Sequence, residues 1–412
     1  MQIPRFAALE GRRFARNDTH SRREFLAASA LGMFGLRSLT ARLTRPRAPV
    51  DTGLLYVGTY TADGRTDGVY LVRLVPESGE LRYLGQANAG KNPSFLAIHP
   101  NGRVIYAANE VDDYEGKSSG AVTAMSIADD GALTKLNEQP SEGAAPCYVS
   151  VDRSGSALLV ANYTGGNVSV LPIGRGGELE KPRDADKHHG EGPNRERQEG
   201  PHAHCIIPDP SNRFALSADL GADRIFVYEL DAERPSIRHR RDADGVMKAG
   251  AGPRHLTFHP RLPLVYVANE LDSTVTTLRF DRESGKLTTV NSQSTLPREF
   301  SGTNYPADIH LSRSARNLYL SNRGHNSIAV FSVADGTGAL TLDQVLPTEG
   351  DWPRNFSLDP GERWVLVANQ RSGDVVVFAR DPRTGRLQRT RNRVALPSPV
   401  CLRFLAHAGR TE

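Results

Sequence analysis

Ile105-Tyr106-Ala107-Ala108-Asn109, Leu158-Leu159-Val160-Ala161-Asn162, Val265-Tyr266-Val267-Ala268-Asn269, Leu318-Tyr319-Leu320-Ser321-Asn322 and Val365-Leu366-Val367-Ala368-Asn369 are five copies of one phrase. Each is a short apolar run closed by a small residue and asparagine. Two weaker copies end at Thr59 and Asp219. The seven end positions, 59, 109, 162, 219, 269, 322 and 369, are separated by 47 to 57 residues. A period near 50 residues is the sequence mark of a β-propeller, and seven copies is a blade count.

Working outward, an anchor residue, usually proline, stands 16 positions before each marker: Pro93, Pro146, Ala203, Pro253, Pro306 and Pro353. Anchor and marker enclose a strand, a turn such as His99-Pro100-Asn101-Gly102 or Asp359-Pro360-Gly361, and a second strand. An alternating third strand follows, as in Ile225-Phe226-Val227-Tyr228. A Gly-x-Leu phrase opens the fourth: Gly79-Glu80-Leu81, Gly131-Ala132-Leu133, Gly285-Lys286-Leu287 and Gly385-Arg386-Leu387. The first repeat lacks its anchor strand, and the chain ends on an orphan one, Pro399 to Phe404. Pairing that strand with Leu54 to Thr59 closes the ring and leaves no exposed edge. The expected fold is therefore all-β, a seven-bladed propeller over residues 51–408 completed from both ends of the chain.

Residues 1–50 are expected to lie outside this fold. Ser21-Arg22-Arg23-Glu24-Phe25-Leu26 matches a twin-arginine export pattern, followed by an apolar stretch, Leu26 to Leu36, too short to span a bilayer. No clean small-x-small cleavage site appears near residues 38–48. The leader also explains the basic composition. The chain's formal charge is +4, yet residues 1–50 carry ten arginines against three acids, and the remainder has 41 basic and 44 acidic side chains. A nucleic-acid partner is therefore not expected. The leader implies a periplasmic or otherwise exported protein that engages the twin-arginine machinery, or a cytoplasmic one if the signal is not used.

Propeller geometry turns the repeat into a map of side chains. The innermost strand of a blade runs along the channel and the second runs back beside it. Residues just after the anchors and just after the markers thus converge on one mouth. These are Ser94, Cys147, His204, Arg254, Ala307, Arg354 and Val400, with Tyr60, Glu110, Tyr163, Leu220, Glu270, Arg323 and Gln370. His204, Arg254, Glu270 and Arg323 fall on three successive blades. An imidazole, a carboxylate and two guanidiniums suit proton transfer on a small anion held by paired hydrogen bonds.

The phrases His202-Ala203-His204, Gly252-Pro253-Arg254-His255, Asn269-Glu270-Leu271, Pro306-Ala307-Asp308-Ile309-His310, Ser321-Asn322-Arg323-Gly324-His325 and Pro353-Arg354-Asn355-Phe356 resemble the bacterial β-propeller lactonases of the 6-phosphogluconolactonase type. More distantly, the ring resembles the fungal carboxymuconate-lactonizing enzymes. The likeness runs from about Leu54 to Phe404. It implies metal-independent hydrolysis of a sugar-acid lactone to the open acid, with no cofactor and a small anionic lactone as partner. The resemblance implies that Glu270 activates water, that His204 protonates the alkoxide, and that Arg254 and Arg323 hold the anion. The opposite assignment, with His204 as base, stays open. Arg354 and Asp308, in the matching phrases, join the substrate-binding set. His202 is read as packing at the rim. A monomer or weak dimer is expected.

Other signals are weaker. His188-His189 and His202-x-His204-Cys205 lack any accompanying metal motif, so no metal is expected. The three cysteines, Cys147, Cys205 and Cys401, fall in predicted inner strands and read as small buried hydrophobes. The polar segment Lys181 to Gln198 reads as a solvated loop between blades, with Asn194 and Arg197 the residues that would hang over the mouth as a lid. No phosphate-binding glycine loop and no Gly-x-Ser-x-Gly elbow is present. The rival readings are a muconate-type lactonizing cycloisomerase and a non-catalytic binding propeller of the cell envelope.

Overall fold

The structure, a computed structural model, describes residues 53–61 and 68–405; the export leader predicted over residues 1–50 lies outside them. Every element among the described residues is a strand. They form seven sheets, each with a meander of four strands running outward from the channel. The innermost strands are Pro399–Phe404, Pro93–Ile98, Pro146–Val151, Ala203–Pro208, Pro253–Phe258, Tyr305–Leu311 and Pro353–Leu358, for blades 1 to 7 in turn. Blade 1 is completed from both ends of the chain: Pro399–Phe404 pairs antiparallel with Leu54–Thr59, with Tyr56 opposite Arg403. The closing strand gives blade 1 the same four-strand meander as the other blades.

The marker phrase is the second strand of each blade, and in all seven blades this strand is wholly buried. Its neighbours in the sheet satisfy its backbone, while the adjacent blades cover both its faces. Ala157, Leu159 and Ala161 of blade 3, for example, pack with Ala215, Phe226 and Tyr228 of blade 4. Burial on both sides is why the phrase reads as a continuous apolar run rather than an alternation. Its closing asparagine is also accounted for. The carboxamides of Asn109, Asn162 and Asn322 donate to the carbonyls of Ala89, Ser141 and Thr295, which lie on the chain entering the blade. These bonds hold that entering chain at the channel mouth.

The tyrosine of the phrase reaches the next blade. Tyr56, Tyr106, Tyr266 and Tyr319 donate their hydroxyls to the carbonyls of Gly131, Gly177, Gly338 and Gly385 at 2.7–3.0 Å. Each acceptor is the glycine of a Gly-x-Leu phrase and sits in the left-handed region, with φ between +69° and +91°. The two sequence signals are therefore the two halves of one stitch between blades. All three cysteines are buried and free, as expected.

Two local features depart from the sequence expectation. The segment Lys181 to Gln198 is not simply a solvated loop: Asp184–Lys187 forms the fourth strand of blade 3, and His188 and Gln198 are buried. The strand escaped notice because its four residues are all polar or small and only half covered. The second feature is a β-bulge in every blade at the residue after the anchor. Partners of the innermost strand skip Ser94, Cys147, His204, Arg254, Arg354 and Val400, and in blade 6 skip both Ala307 and Asp308. A bulge leaves its residue out of the ladder and re-aims the side chain. Here it turns the residues of the site toward the hub.

Candidate active site

A cavity of about 220 Å³ opens at the channel mouth, lined by Tyr60, Glu110, Cys147, Tyr163, Arg197, His204, Glu270, Arg323 and Arg354. Eight of these nine occupy positions just after an anchor or just after a marker. Ring symmetry thus collects His204, Glu270, Arg323 and Arg354 in one place, as expected. The volume is below the roughly 300–1,000 Å³ of pockets for drug-sized ligands, which limits the occupant to about one small ring.

Glu270 is the charge centre. Its Oε2 lies 2.7 Å from Nη2 of Arg323 and 3.0 Å from Nε of Arg254, and its Oε1 lies 2.7 Å from Nη2 of Arg197. Burial pushes the carboxyl pKa up, but Arg323, Arg254 and Arg197 outweigh it and hold the group far below the usual carboxylate range. A carboxylate whose two oxygens already meet three guanidiniums is a weak proton acceptor.

Arg254 was expected to grip the substrate, but it does not line the cavity. Its guanidinium is spent on Glu270, on the carbonyl of Ala307 at 2.5 Å and on Nε2 of His255 at 3.1 Å. Arg323 does line the cavity, and it also donates to the carbonyls of Tyr305 and Pro306 and lies over Trp352. Arg354 differs from both. Among the described residues it donates no hydrogen bond. Its closest carboxylate oxygen is that of Glu110 at 3.9 Å, and the guanidinium lies over the Tyr60 ring. Glu110 is itself occupied, accepting from the Tyr60 hydroxyl at 2.8 Å on both oxygens.

His204 is buried on the cavity wall, with Nδ1 3.6 Å from Sγ of Cys147 and the ring edge-on to Tyr163 and His255. Burial, then the Arg254 cation, the neighbouring His255 and Arg354, hold its pKa well below 6.5, so the imidazole is neutral at neutral pH. Nε2 has no hydrogen-bond partner among the described residues. His202 stacks on Tyr163 at 4.5 Å and bonds to Glu199, at the rim rather than in the cavity.

Asp308, grouped with the substrate-binding residues on sequence, does not reach the cavity. Two places after its anchor, it lies against Nδ1 of His255, Nε2 of His310 and Nδ2 of Asn355, at 2.5–2.8 Å. Asn355 in turn accepts from the backbone N–H of Leu402. This buried network ties blades 5, 6, 7 and 1 together. His255 passes it on to Arg254, and so to Glu270.

Arg197, named on sequence only as a residue that would hang over the mouth and not as part of the site, lines the cavity and is the one lining residue that belongs to no repeat position. Tyr60, Glu110, Cys147 and Tyr163 stood at mouth positions but carried no chemical pattern that singled them out.

The family model described as "Lactonase, 7-bladed beta-propeller" matches residues 54–404. The chain is 36% identical over 359 residues to a 6-phosphogluconolactonase of Bacillus subtilis (strain 168), covering 85% of this chain and 97% of that protein. A 6-phosphogluconolactonase of Formosa agariphila is 34% identical, over 81% of this chain and 94% of its own length. Among solved structures, the periplasmic gluconolactonase of Pseudomonas aeruginosa superposes with a TM-score of 0.79 at 32% identity, covering 86% of this chain and 99% of that one. With a family model matched from residue 54 to residue 404 and relatives above 30% identity over most of their length, the chain belongs to the seven-bladed β-propeller lactonase family.

Proposed function

We propose that this lactonase hydrolyses a small anionic aldonolactone, 6-phosphogluconolactone or a close relative, and that His204 is its general base. The observation that carries this reading is the contrast between Arg354 and Glu270. One is a cation in the cavity that donates no hydrogen bond among the described residues; the other is a carboxylate ion-paired with three guanidiniums. An incoming anion completes the first and has nothing to gain from the second.

Arg354 holds the anionic group and orients the ring toward His204. In the tautomer with the proton on Nδ1, facing the Cys147 sulfur, Nε2 offers its lone pair to a water. As the water oxygen bonds to the lactone carbonyl carbon, its proton passes to Nε2. The ring C–O bond then breaks, and the same proton returns to the departing alkoxide. The product is the open hydroxy acid, with His204 restored. Glu270 keeps the arginines in place, and Arg323 offers positive charge to the tetrahedral oxyanion.

The test is a pH-stat assay on phosphorylated and unphosphorylated gluconolactone, with spontaneous opening subtracted. Turnover by wild type and a loss of about a hundredfold or more in His204→Ala support the reading. A His204→Ala variant with wild-type turnover overturns it. The twin-arginine phrase places the protein outside the cytoplasmic membrane in this proposal. Fractionation of cells carrying Arg22→Lys with Arg23→Lys checks that placement: the protein should remain in the cytoplasm.

A further inference from the structure

The four guanidiniums around Glu270 and Glu110 fall into two classes. The side chains of Arg254 and Arg323 are only 2% and 5% exposed, and both are fastened to backbone carbonyls. Those of Arg354 and Arg197 are 17% and 34% exposed. The buried pair is fixed structure. The open pair faces the space a substrate would enter.

Arg197 is placed there by a segment outside the four-strand plan. After the fourth strand of blade 3 the chain folds back, and Gln198 pins it. The Gln198 carboxamide is fully buried, donates to the carbonyl of Leu220 and accepts from the N–H of Asn194. Residues 194–198 also close a turn, with the N–H groups of Arg197 and Gln198 both donating to the carbonyl of Asn194. The arginine next to this pin projects into the cavity. Its Nη2 meets Oε1 of Glu270 at 2.7 Å and the Tyr163 hydroxyl at 3.3 Å, and among the described residues its side chain donates to no backbone carbonyl. Of the three cations on Glu270, it alone can leave without stranding a buried charge, because Arg254 and Arg323 remain.

We propose that Arg197 is the specificity residue of this lactonase, an exchangeable clamp that passes from Glu270 to the phosphate of a phosphorylated lactone. The inference rests on the lactonase reading above. A phosphate dianion offers three acceptor oxygens and can take two guanidiniums at once, Arg354 from one side and Arg197 from the other. A neutral lactone offers Arg197 nothing better than Glu270. Phosphorylated substrate therefore gains a charge-assisted contact that its unphosphorylated counterpart does not. The charge balance agrees: four arginines against two carboxylates leave two positive charges at the mouth to match a dianion.

The experiment uses the full chain as wild type, Arg197→Gln and Arg197→Lys. Rates are read on phosphorylated and unphosphorylated gluconolactone, and inorganic phosphate is titrated calorimetrically into each protein. The ratio of kcat/KM for phosphorylated over unphosphorylated lactone should fall about tenfold or more in Arg197→Gln, the worth of one charge-assisted contact. Phosphate affinity should drop by a similar factor, with Arg197→Lys intermediate. An equal fall on both lactones, or unchanged phosphate affinity in Arg197→Gln, overturns the proposal. If wild type opens neither lactone the lactonase reading fails, and the phosphate titration still decides whether Arg197 is an anion clamp.

Discussion

The hydroxyl of Tyr266 in blade 5 donates to the carbonyl of Gly338 in blade 6 at 2.7 Å, and this bond and its equivalents join neighbouring sheets that share no ladder. Gly338 has φ +69°, and a Cβ there would run into Leu264 Cδ1 and the Tyr266 hydroxyl. Tyr266→Phe should cost about 1 kcal/mol, since one buried carbonyl loses its donor. Gly338→Ala should cost about 2 kcal/mol or more, combining left-handed strain with overpacking. Urea midpoints of the two variants check the order; a Gly338→Ala protein as stable as wild type would contradict it.

Arg354 is the cation with most to gain from substrate. Replacing it by alanine should lower kcat/KM on phosphorylated lactone by about a hundredfold, through loss of paired charge-assisted hydrogen bonds. Lysine should recover only part of this, because it lacks the planar fork. The effect belongs mainly in KM if Arg354 holds the anion equally in ground and transition states.

Activity should persist well into acid. A base works in its neutral form, above its pKa, and burial with the Arg254 charge keeps the His204 pKa below 6.5. The acid limb of kcat/KM must then lie below the ordinary imidazole value of about 6.5. Removing Arg354 takes away one of the cations that depress His204, so Arg354→Ala should move the limb upward. A wild-type limb above pH 6.5 would be incompatible with His204 as a buried base.

Glu270→Gln and His204→Ala should separate by stability. Losing the Glu270 carboxylate leaves Arg254 and Arg323 buried without their anion, a change that costs about 3–5 kcal/mol when a buried pair is broken. The rate should fall too, because Arg323 loses the carboxylate that holds it in place. His204→Ala should abolish turnover with a far smaller shift in the melting temperature. Thermal melts beside the lactone assay distinguish the two.

The repeat and its closing strand were readable because the second strand is enclosed on both faces, which forces an unbroken apolar phrase every 50 residues or so. The same periodicity led to the cavity: only Arg197 stands away from the positions it marks. What stayed hidden has physical reasons. A bulge is a slip in pairing with a distant strand, and leaves no trace in composition. Asp308 stands two places after its anchor, like His255 and Asn355, and joins them in the hub network, while His204 and Arg354, one place after theirs, face the cavity. The triple pairing of Glu270 depends on Arg197 returning from an insertion with no fixed register. The strand Asp184–Lys187, whose burial alternates without reaching the core, resembled any polar loop.

The final strand, Pro399–Phe404, does more than seal blade 1. Its Leu402 bonds to Asn355, Cys401 Sγ accepts from the Leu96 N–H at 3.3 Å, and Arg403 donates to the Leu96 carbonyl. These are the last residues of the ring to leave the ribosome. Asn355, and with it the scaffold behind Arg254, waits for them. A nascent chain can have six blades built and still lack a working hub. Catalysis by this enzyme therefore reports that the closing strand is in place, and chains cut short within that strand should be silent long before they are structureless.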